Sequence, residues 1–283
     1  MLNFMENVPE IPVAEKTSDF TDWLTDKFSF IFDPIQNQFG DFMDNTAEQL
    51  AAIPPIIVIL IVAILAFFAS GKKFGLVAFS VIGLLLIYNQ GLWEQLMFTF
   101  TLVLIASLLS VIIGVPVGIL MSKSRIAEAI ITPILDFMQT MPAFVYLIPA
   151  VAFFSIGMVP GVFSSLVFAT PPTVRFTNLG IRQVSTELIE ASEAFGSTGS
   201  QKLWKVEIPM AKSTIMAGIN QTVMLSLSMV VIASMIGAPG LGRDVLSALQ
   251  RAEVGTGFVA GIGIVILAII IDRFTQSLNK SKA

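Results

Sequence analysis

The chain has 283 residues, of which 55% are hydrophobic and only 13% carry a charge. Several apolar runs approach the length of about 20 residues that crosses a bilayer, so the composition predicts an all-α membrane protein. Cysteine and histidine are both absent, which excludes disulfides, thiol or imidazole catalysis and the usual zinc sites. The net charge of −4 is unevenly distributed, because residues 1–52 hold ten of the twenty acidic side chains.

Residues 1–52 are predicted to form an acidic extracytoplasmic tail with an amphipathic interfacial helix. Its large apolar side chains recur at three- and four-residue steps, and they are Phe20, Trp23, Leu24, Phe28, Ile31, Phe32, Ile35, Phe39 and Phe42. Thr17 or Ser18, with Asp19, predicts the helix start. Pro34 predicts a break into two pieces along the outer membrane surface. The alternative is a disordered acidic leader.

Seven apolar segments follow and are predicted to be transmembrane helices, the second being the weakest candidate. They span residues 53–70, 74–88, 97–121, 130–156, 162–181, 215–236 and 255–271. Residues 53–283 are therefore predicted to form one transmembrane domain. We interpret the first segment as an uncleaved anchor rather than a signal peptide, because the acidic tail precedes it and the basic Lys72 follows it.

The basic residues predict the orientation, since Lys and Arg are retained on the cytoplasmic side of short loops. Those after the first, third, fifth and seventh segments fall on one face, and they are Lys72, Lys73, Lys123, Arg125, Arg182, Lys202, Lys205, Lys212, Arg273, Lys280 and Lys282. The opposite face receives the acidic tail, with only Arg243 and Arg251 as further cations. The amino terminus is therefore predicted outside and the carboxyl terminus inside.

Local signals within the loop after the fifth segment predict two helices joined by a turn. Ser185 is suited to cap the first helix, and Gly196 allows a left-handed turn that ends it. Ser197 or Thr198 is suited to start the second helix. Pro209 is expected to stop or bend the chain as it returns to the membrane.

The same loop carries Glu190-Ala191-Ser192, then Gly196, then Val206-Glu207-Ile208-Pro209. This spacing is similar to the EAA motif of bacterial ABC importer permeases, although alanine is usual at Ser192 and the pattern prefers Ile and Leu at Val206 and Ile208. The resemblance implies that residues 185–212, here named the docking loop, bind a cytoplasmic ATPase. The implied contact residues are Glu190, Ala191, Ser192, Gly196, Leu203, Trp204, Val206, Ile208 and Pro209. The alternative is an amphipathic connector with accidental spacing.

The resemblance extends over about residues 95–275, where TMPAFVYLIP at 140–149, PPTVR at 171–175 and GINQT at 218–222 look like permeases of glycine betaine and proline betaine importers. It implies a type I binding-protein-dependent permease fold in the bacterial cell membrane, with an osmoprotective role. The implied partners are a second copy of the chain, two cytoplasmic ATPase subunits that hold ATP-Mg, an extracytoplasmic substrate-binding protein and membrane lipid. No nucleic acid is implied.

The chain itself lacks a nucleotide site, because no G-x-x-x-x-G-K-[ST] occurs and Gly237, Gly240 and Gly242 have the wrong spacing. We therefore expect no enzymatic activity and no cofactor in this chain. These glycines instead predict a tight outer loop, followed by a short helix from Leu241 to Leu249. That helix either faces the binding protein or packs as an ordinary loop element.

Polar residues within a span are costly unless they face a bundle interior or water, which directs attention to the sixth segment. Asn220, Met224 and Ser228 lie four residues apart on one helical face and are candidates for the translocation path. The alternative for each is a helix-to-helix hydrogen bond. Asp136 and Arg175 either pair with each other or reach the inner headgroups.

Three other functions remain open at this point. An ABC permease for another small solute, such as an amino acid or a choline-like compound, would keep the docking loop. An ion-coupled secondary transporter would show an inverted repeat and often a buried carboxylate, and neither is evident in the sequence. A scaffold without transport activity would not need the ATPase contacts.

Overall fold

The computed structural model describes residues 12–72 and 74–279, and every regular element within those ranges is helical, as the composition predicted. The α-helices are α1 (Val13–Lys27), α2 (Ser29–Pro34), α3 (Gly40–Ala52), α4 (Pro55–Ala69), α5 (Phe74–Asn89), α6 (Trp93–Lys123), α7 (Arg125–Thr140), α8 (Leu147–Phe154), α9 (Met158–Arg182), α10 (Thr186–Ala194), α11 (Gly199–Lys202), α12 (Ile208–Ser234), α13 (Leu241–Arg251) and α14 (Val254–Asn279). Short π-helical turns precede α3 and α12, and a 3-10 turn precedes α8.

Helices α6, α9 and α12 form the centre of the protein, and glycines allow their backbones to approach closely. A Cβ on Gly118 of α6 would lie 2.6 Å from the Val174 carbonyl oxygen of α9. A Cβ on Gly218 of α12 would lie 2.6 Å from the Phe176 Cβ on the same helix α9. Small residues at such crossings let helices pack without a hydrophobic driving force between them. Helix α9 is therefore held between α6 and α12.

A buried hydroxyl pair also joins α9 to α12. The Thr173 and Thr222 hydroxyls lie 2.7 Å apart, and Thr222 also donates a hydrogen bond of 2.8 Å to the Ala169 carbonyl. Both threonine side chains are fully buried. A polar group inside a membrane bundle requires such a partner, because lipid tails offer no hydrogen bond and water is excluded.

Within residues 12–72 and 74–279, three helices are long and apolar enough to cross a membrane. They are α6, the continuous helix Gly199–Ser234 and the helix Val254–Ser277. Two sharply bent helix pairs raise the number to five if each pair is one span, and α5 is a shorter apolar helix. A membrane protein with several spans follows from length and composition. The number seven and the orientation stay predictions.

The fourth predicted span, residues 130–156, consists of two helical segments rather than one continuous helix. Helix α7 ends at Thr140, and the chain turns by 109° before the next helical segment. Pro142 causes this bend, because the residue before a proline is pushed out of the α region and Met141 is extended, with ψ 134°. The two adjacent prolines of α9 do not break their helix.

The amino-terminal tail is helical, but its breaks differ from the prediction. Helix α1 begins at Val13 rather than near Thr17, and the first break falls at Phe28, with φ −109°. The chain stays helical after Pro34 by widening into a π-helical turn over 35–39, because that turn accommodates the hydrogen bond that proline cannot make. Residues 1–11 of the predicted tail domain lie outside the described residues.

The second half of this tail packs on the protein. Met43 and Ala47 of α3 are fully buried, and α3 lies against α6. The Phe32 ring stacks on the Phe153 ring of α8 with centroids 5.0 Å apart. Near Pro54 the chain then bends by 94° into α4, whose apolar side chains are largely exposed. Residues 29–52 therefore run almost perpendicular to α4.

Candidate functional site

The first helix of the docking loop, α10, ends in a glycine turn as the sequence predicted. Gly196 adopts φ +78°, which few residues other than glycine tolerate. Its N–H donates to the Glu193 carbonyl at 2.8 Å, and the Ser197 N–H donates to the Ser192 carbonyl at 3.1 Å. These two bonds form a Schellman motif. Ser185 occupies the N-cap position, but its side chain makes no capping hydrogen bond.

The second helix of the loop begins at Thr198, one of the two predicted starts. The Thr198 hydroxyl accepts the Gln201 N–H at 3.4 Å, while the Thr198 N–H donates to Gln201 Oε1 at 2.9 Å, which is a capping box. The expectation that Pro209 stops the chain is wrong. A π-helical turn over Leu203–Glu207 precedes it, and the helix continues from Gly199 to Ser234.

The docking loop exposes an apolar surface on both of its helices. Helix α10 has no buried residue, Phe195 is 91% exposed and Trp204 is 63% exposed. Among the predicted contact residues, the exposed ones are Glu190, Ala191, Gly196, Trp204 and Pro209. The half-buried ones are Ser192, Leu203, Val206 and Ile208. Large exposed aromatic side chains beside polar ones are typical of protein interaction sites.

One ion pair joins the two helices of the loop. Lys202 of α11 binds the carboxylate of Glu193 in α10. The hydrogen bond that Lys202 donates to Glu193 raises the pKa of the Lys202 amine above its usual value. The pair lies at the surface of the loop, where an exposed ion pair contributes little to stability.

A second, partly buried ion pair attaches the loop to the core. Glu207, directly before α12, has a side chain that is only 4% exposed, and it pairs with the more exposed Lys123 at the end of α6. This pair was not predicted from the sequence. A charged residue between the apolar Val206 and Ile208 was the available signal, since a carboxylate in such surroundings requires a partner when buried.

A third set of polar contacts lies where α9 enters the loop. Arg182, the last residue of α9, has its guanidinium 2.7 Å from the Glu128 carboxylate of α7. It also donates to the Met121 carbonyl of α6 at 2.9 Å and to Asn178 at 2.9 Å. Further along the same helix pair, Arg175 lies 2.5 Å from Asp136, so these two residues pair rather than point apart.

The opposite end of the protein carries the predicted glycine loop and the short helix α13. Gly240 adopts φ +116°, and the Leu241 N–H donates to the Thr99 hydroxyl at 2.9 Å. A cleft of about 600 Å³ lies between α13 and the start of α14. Asp244 borders this cleft, and burial raises the pKa of its carboxyl group. Leu249 of the same helix is 75% exposed.

The three candidate path residues share a face of α12 but differ in their surroundings. Met224 and Ser228 are exposed, and the Ser228 hydroxyl donates to the Met224 carbonyl within the helix. Asn220 is half-buried and donates to Asp272 of α14 at 3.0 Å. That bond corresponds to the helix-to-helix alternative for Asn220. The role of the three residues in a path stays a prediction.

Comparison with known proteins assigns the family. Residues 110–283 match the family described as the binding-protein-dependent transport system inner membrane component. The chain belongs to this permease family. Membership confirms the predicted permease and its location in a membrane, and it agrees with a subunit that is not itself an enzyme.

The relatives of this permease are similar over nearly its whole length. It is 59% identical to the glycine betaine/carnitine transport permease protein GbuB of Listeria monocytogenes, over 98% of each chain. It is 50% identical to the glycine betaine transport system permease protein OpuAB of Bacillus subtilis, again over 98% of each chain. It is 45% identical to the glycine betaine/proline betaine permease ProW of Escherichia coli, over 95% of this chain and 76% of that one.

A solved structure supports the fold of the permease. An inward-facing form of the MetNI methionine ABC transporter contains a chain that matches with a TM-score of 0.58 at 22% identity. The match covers 65% of the present chain and 92% of that chain. At this identity the likeness concerns the fold alone.

Proposed function

We propose that this chain is the permease subunit of an ATP-driven importer that carries glycine betaine or a related quaternary amine into the cell. The observation that carries the proposal is the docking loop, which exposes Phe195 and Trp204 and is attached to the helical core by partly buried polar contacts. The three relatives at 45–59% identity, all named for glycine betaine, support the substrate.

The proposed assembly contains two copies of this chain and two cytoplasmic ATPase subunits. ATP-Mg binds to the ATPases, and the EAA-like residues Glu190, Ala191 and Ser192 contact them from the loop. The docking loop then faces the cytoplasm, and α13 lies at the outer end. The substrate-binding protein delivers its ligand at that end, where Leu249 is exposed and the cleft beside α13 opens.

In the proposed cycle, closure of the ATPase pair moves the docking loops and changes the access of the path from one side to the other. The exposed face of α12 with Met224 and Ser228 borders this path. A neutral zwitterion needs no strong charge along it, and selection is left to the binding protein. Quaternary ammonium groups are usually held by aromatic cages. We place such a cage on the binding protein rather than on the permease.

The function is tested by reconstituting the permease with its ATPase and its binding protein in liposomes. We expect uptake of radiolabelled glycine betaine that requires ATP inside the liposomes and persists when ionophores remove sodium and proton gradients. Choline and amino acids are tested for competition with glycine betaine in binding to the substrate-binding protein. Uptake that continues without ATP but stops with the ionophores would identify an ion-coupled transporter and refute the proposal.

For the tail we propose that the helices before α4 lie along the outer membrane surface. The 94° bend near Pro54 supports this position for residues 29–52, because a helix perpendicular to a spanning α4 lies in the membrane plane. Phe20 and Trp23 of α1 are exposed and stack on each other, while Asp22 lies on another face. The apolar face of such a helix enters the headgroup region.

The position of the tail is tested with single cysteines, since the natural chain has none. An environment-sensitive fluorophore on Phe20→Cys is expected to emit at shorter wavelength in phosphatidylcholine nanodiscs and to be quenched by spin-labelled lipid. The same fluorophore on Asp22→Cys, about 200° away on the helix, is the matched control and should be quenched by iodide instead. Equal access of iodide to both positions would contradict the proposal.

A further inference from the structure

Both ends of the docking loop contact the same corner of the core, through which movement of the loop can reach the membrane helices. The corner consists of residues 121–128, where α6 ends and α7 begins. Arg182 precedes the loop and contacts Met121 and Glu128, while Glu207 lies at the end of the loop and contacts Lys123. Both ends of the loop are therefore bound by charged groups to the same short segment.

The surroundings of these contacts are tightly packed. A Cβ on Gly180 of α9 would lie 3.2 Å from the Ala211 Cβ of α12, so the two helices approach closely as they enter and leave the loop. Ile181, Ala211 and Ile215 form a buried cluster beside them. By contrast, α10 buries none of its residues. A displacement of the exposed loop would therefore be passed to the closely packed helices α9 and α12.

Helix α7 depends on polar contacts with α9. Leu135 is its one buried residue, while Ile126, Ile130 and Phe137 are exposed. Its carboxylates bind α9 at two levels, through the pairs Glu128–Arg182 and Asp136–Arg175. Ion pairs, together with limited apolar contact, thus determine where α7 lies relative to the loop.

We propose that Glu207 and Glu128 are positioning residues for coupling. Through Lys123 and Arg182 they bind both ends of the docking loop to the α6–α7 corner, so that movement of α10 displaces α6 and α7 together. This inference rests on the proposed function, since it presumes an ATPase bound at the loop. It adds that two sets of residues have separate roles. The exposed residues of the docking loop bind the ATPase, and Glu207 and Glu128 transmit its movement to α6 and α7.

The test replaces each carboxylate with its neutral amide. Glu207→Gln and Glu128→Gln keep side-chain size and hydrogen-bonding capacity but remove the charge that pairs with Lys123 or Arg182. We expect the ratio of glycine betaine transported to ATP hydrolysed to fall about tenfold in liposomes, within the usual range of coupling between sites. When Phe195→Cys is combined with either amide substitution, its cross-linking yield to the ATPase should equal the yield of Phe195→Cys alone.

Glu193→Gln is the matched control, because it breaks the surface pair with Lys202 and leaves the pairs Glu207–Lys123 and Glu128–Arg182 in place. It should leave the transport ratio unchanged. Lys123→Glu combined with Glu207→Lys restores opposite charges and is expected to recover part of the coupling. A wild-type transport ratio in both amide variants would overturn the inference. So would loss of cross-linking together with transport, because the residues would then only fold the loop.

Failure of the proposed function gives a different result. If Phe195→Cys in the otherwise natural chain forms no cross-link with the ATPase, the docking assignment itself is refuted. If it does form the cross-link and the amide variants transport normally, only the positioning role is refuted. The two outcomes can be distinguished because the cross-linking experiment keeps both ion pairs of the corner, whereas the transport experiment removes one of them.

Discussion

Replacement of Gly196 by valine is expected to reduce ATP-driven uptake by about 5- to 30-fold. The residue has φ +78°, and an L side chain in this region is destabilised by about 1–2 kcal/mol, more for a β-branched one. No atom lies within 4 Å of a Cβ at this position, so the effect comes from the backbone rather than from a clash. Relief of the strain would turn α10 and displace Phe195 from the ATPase.

Gly199 provides the matched control for this prediction. It also has no atom within 4 Å of a built Cβ, but it starts α11 without a positive φ. Gly199→Val is therefore expected to keep uptake close to that of the natural chain. Uptake is measured in liposomes with equal amounts of inserted protein. Normal uptake by the Gly196 variant would refute the docking assignment of the loop.

Gly118→Ala is expected to destabilise the protein. Its Cβ would lie 2.5 Å from the Thr177 Cβ and 2.6 Å from the Val174 carbonyl oxygen, so backbone rather than a flexible side chain has to move. Overpacking of this kind costs about 1–3 kcal/mol. For a chain of this size we expect the Tm in detergent to fall by about 2–12 °C.

The matched control for the packing prediction is Gly261→Ala in α14. No atom lies within 4 Å of a Cβ at that position, and alanine has the higher helix propensity. Its Tm should stay the same or rise. If both variants have the same Tm, the close approach of α6 and α9 is not a determinant of stability. Circular dichroism and size exclusion show whether the Gly118 variant keeps its helices and its assembly.

Most of the docking loop was predictable from the sequence because its determinants are local. Gly196 ends α10 through a backbone conformation that glycine adopts readily, and Thr198 starts α11 through a side chain three residues from its partner Gln201. Such contacts span a single helical turn, so residue type and spacing are enough to predict them. Trp204 was among the implied contact residues, and its side chain is 63% exposed.

The contacts that attach the loop to the core were not predictable in the same way. Lys123 and Glu207 are separated by 84 positions in the chain, and charge alone does not select one partner among many at that separation. Their pairing depends on the packing of α6, α9 and α12. The same holds for Arg182 and Glu128, which meet because α7 folds back beside α9.

The prolines illustrate how tertiary packing changes a local rule. Pro142 ends a helix that has little support around it, and the chain bends there by 109°. Pro171 and Pro172 lie inside α9, where both residues are buried and α6 and α12 pack against the helix. Neighbouring helices and hydroxyls can satisfy the backbone groups that proline frees. The same residue type therefore goes with a sharp bend at one place and with an unbroken helix at the other, according to the packing around it.

The helix from Gly199 to Ser234 continues through a π-helical turn over Leu203–Glu207 and forms one long element of the permease. At 1.5 Å per residue its 36 residues measure about 54 Å, longer than the thickness of a hydrocarbon core of about 30 Å. A tilt of about 10° of the segment from Trp204 to Ser234, which is about 45 Å long, would displace its far end by about 8 Å. From Ile208 to Ser234 no further turn interrupts the helix, so this part would move as one rod.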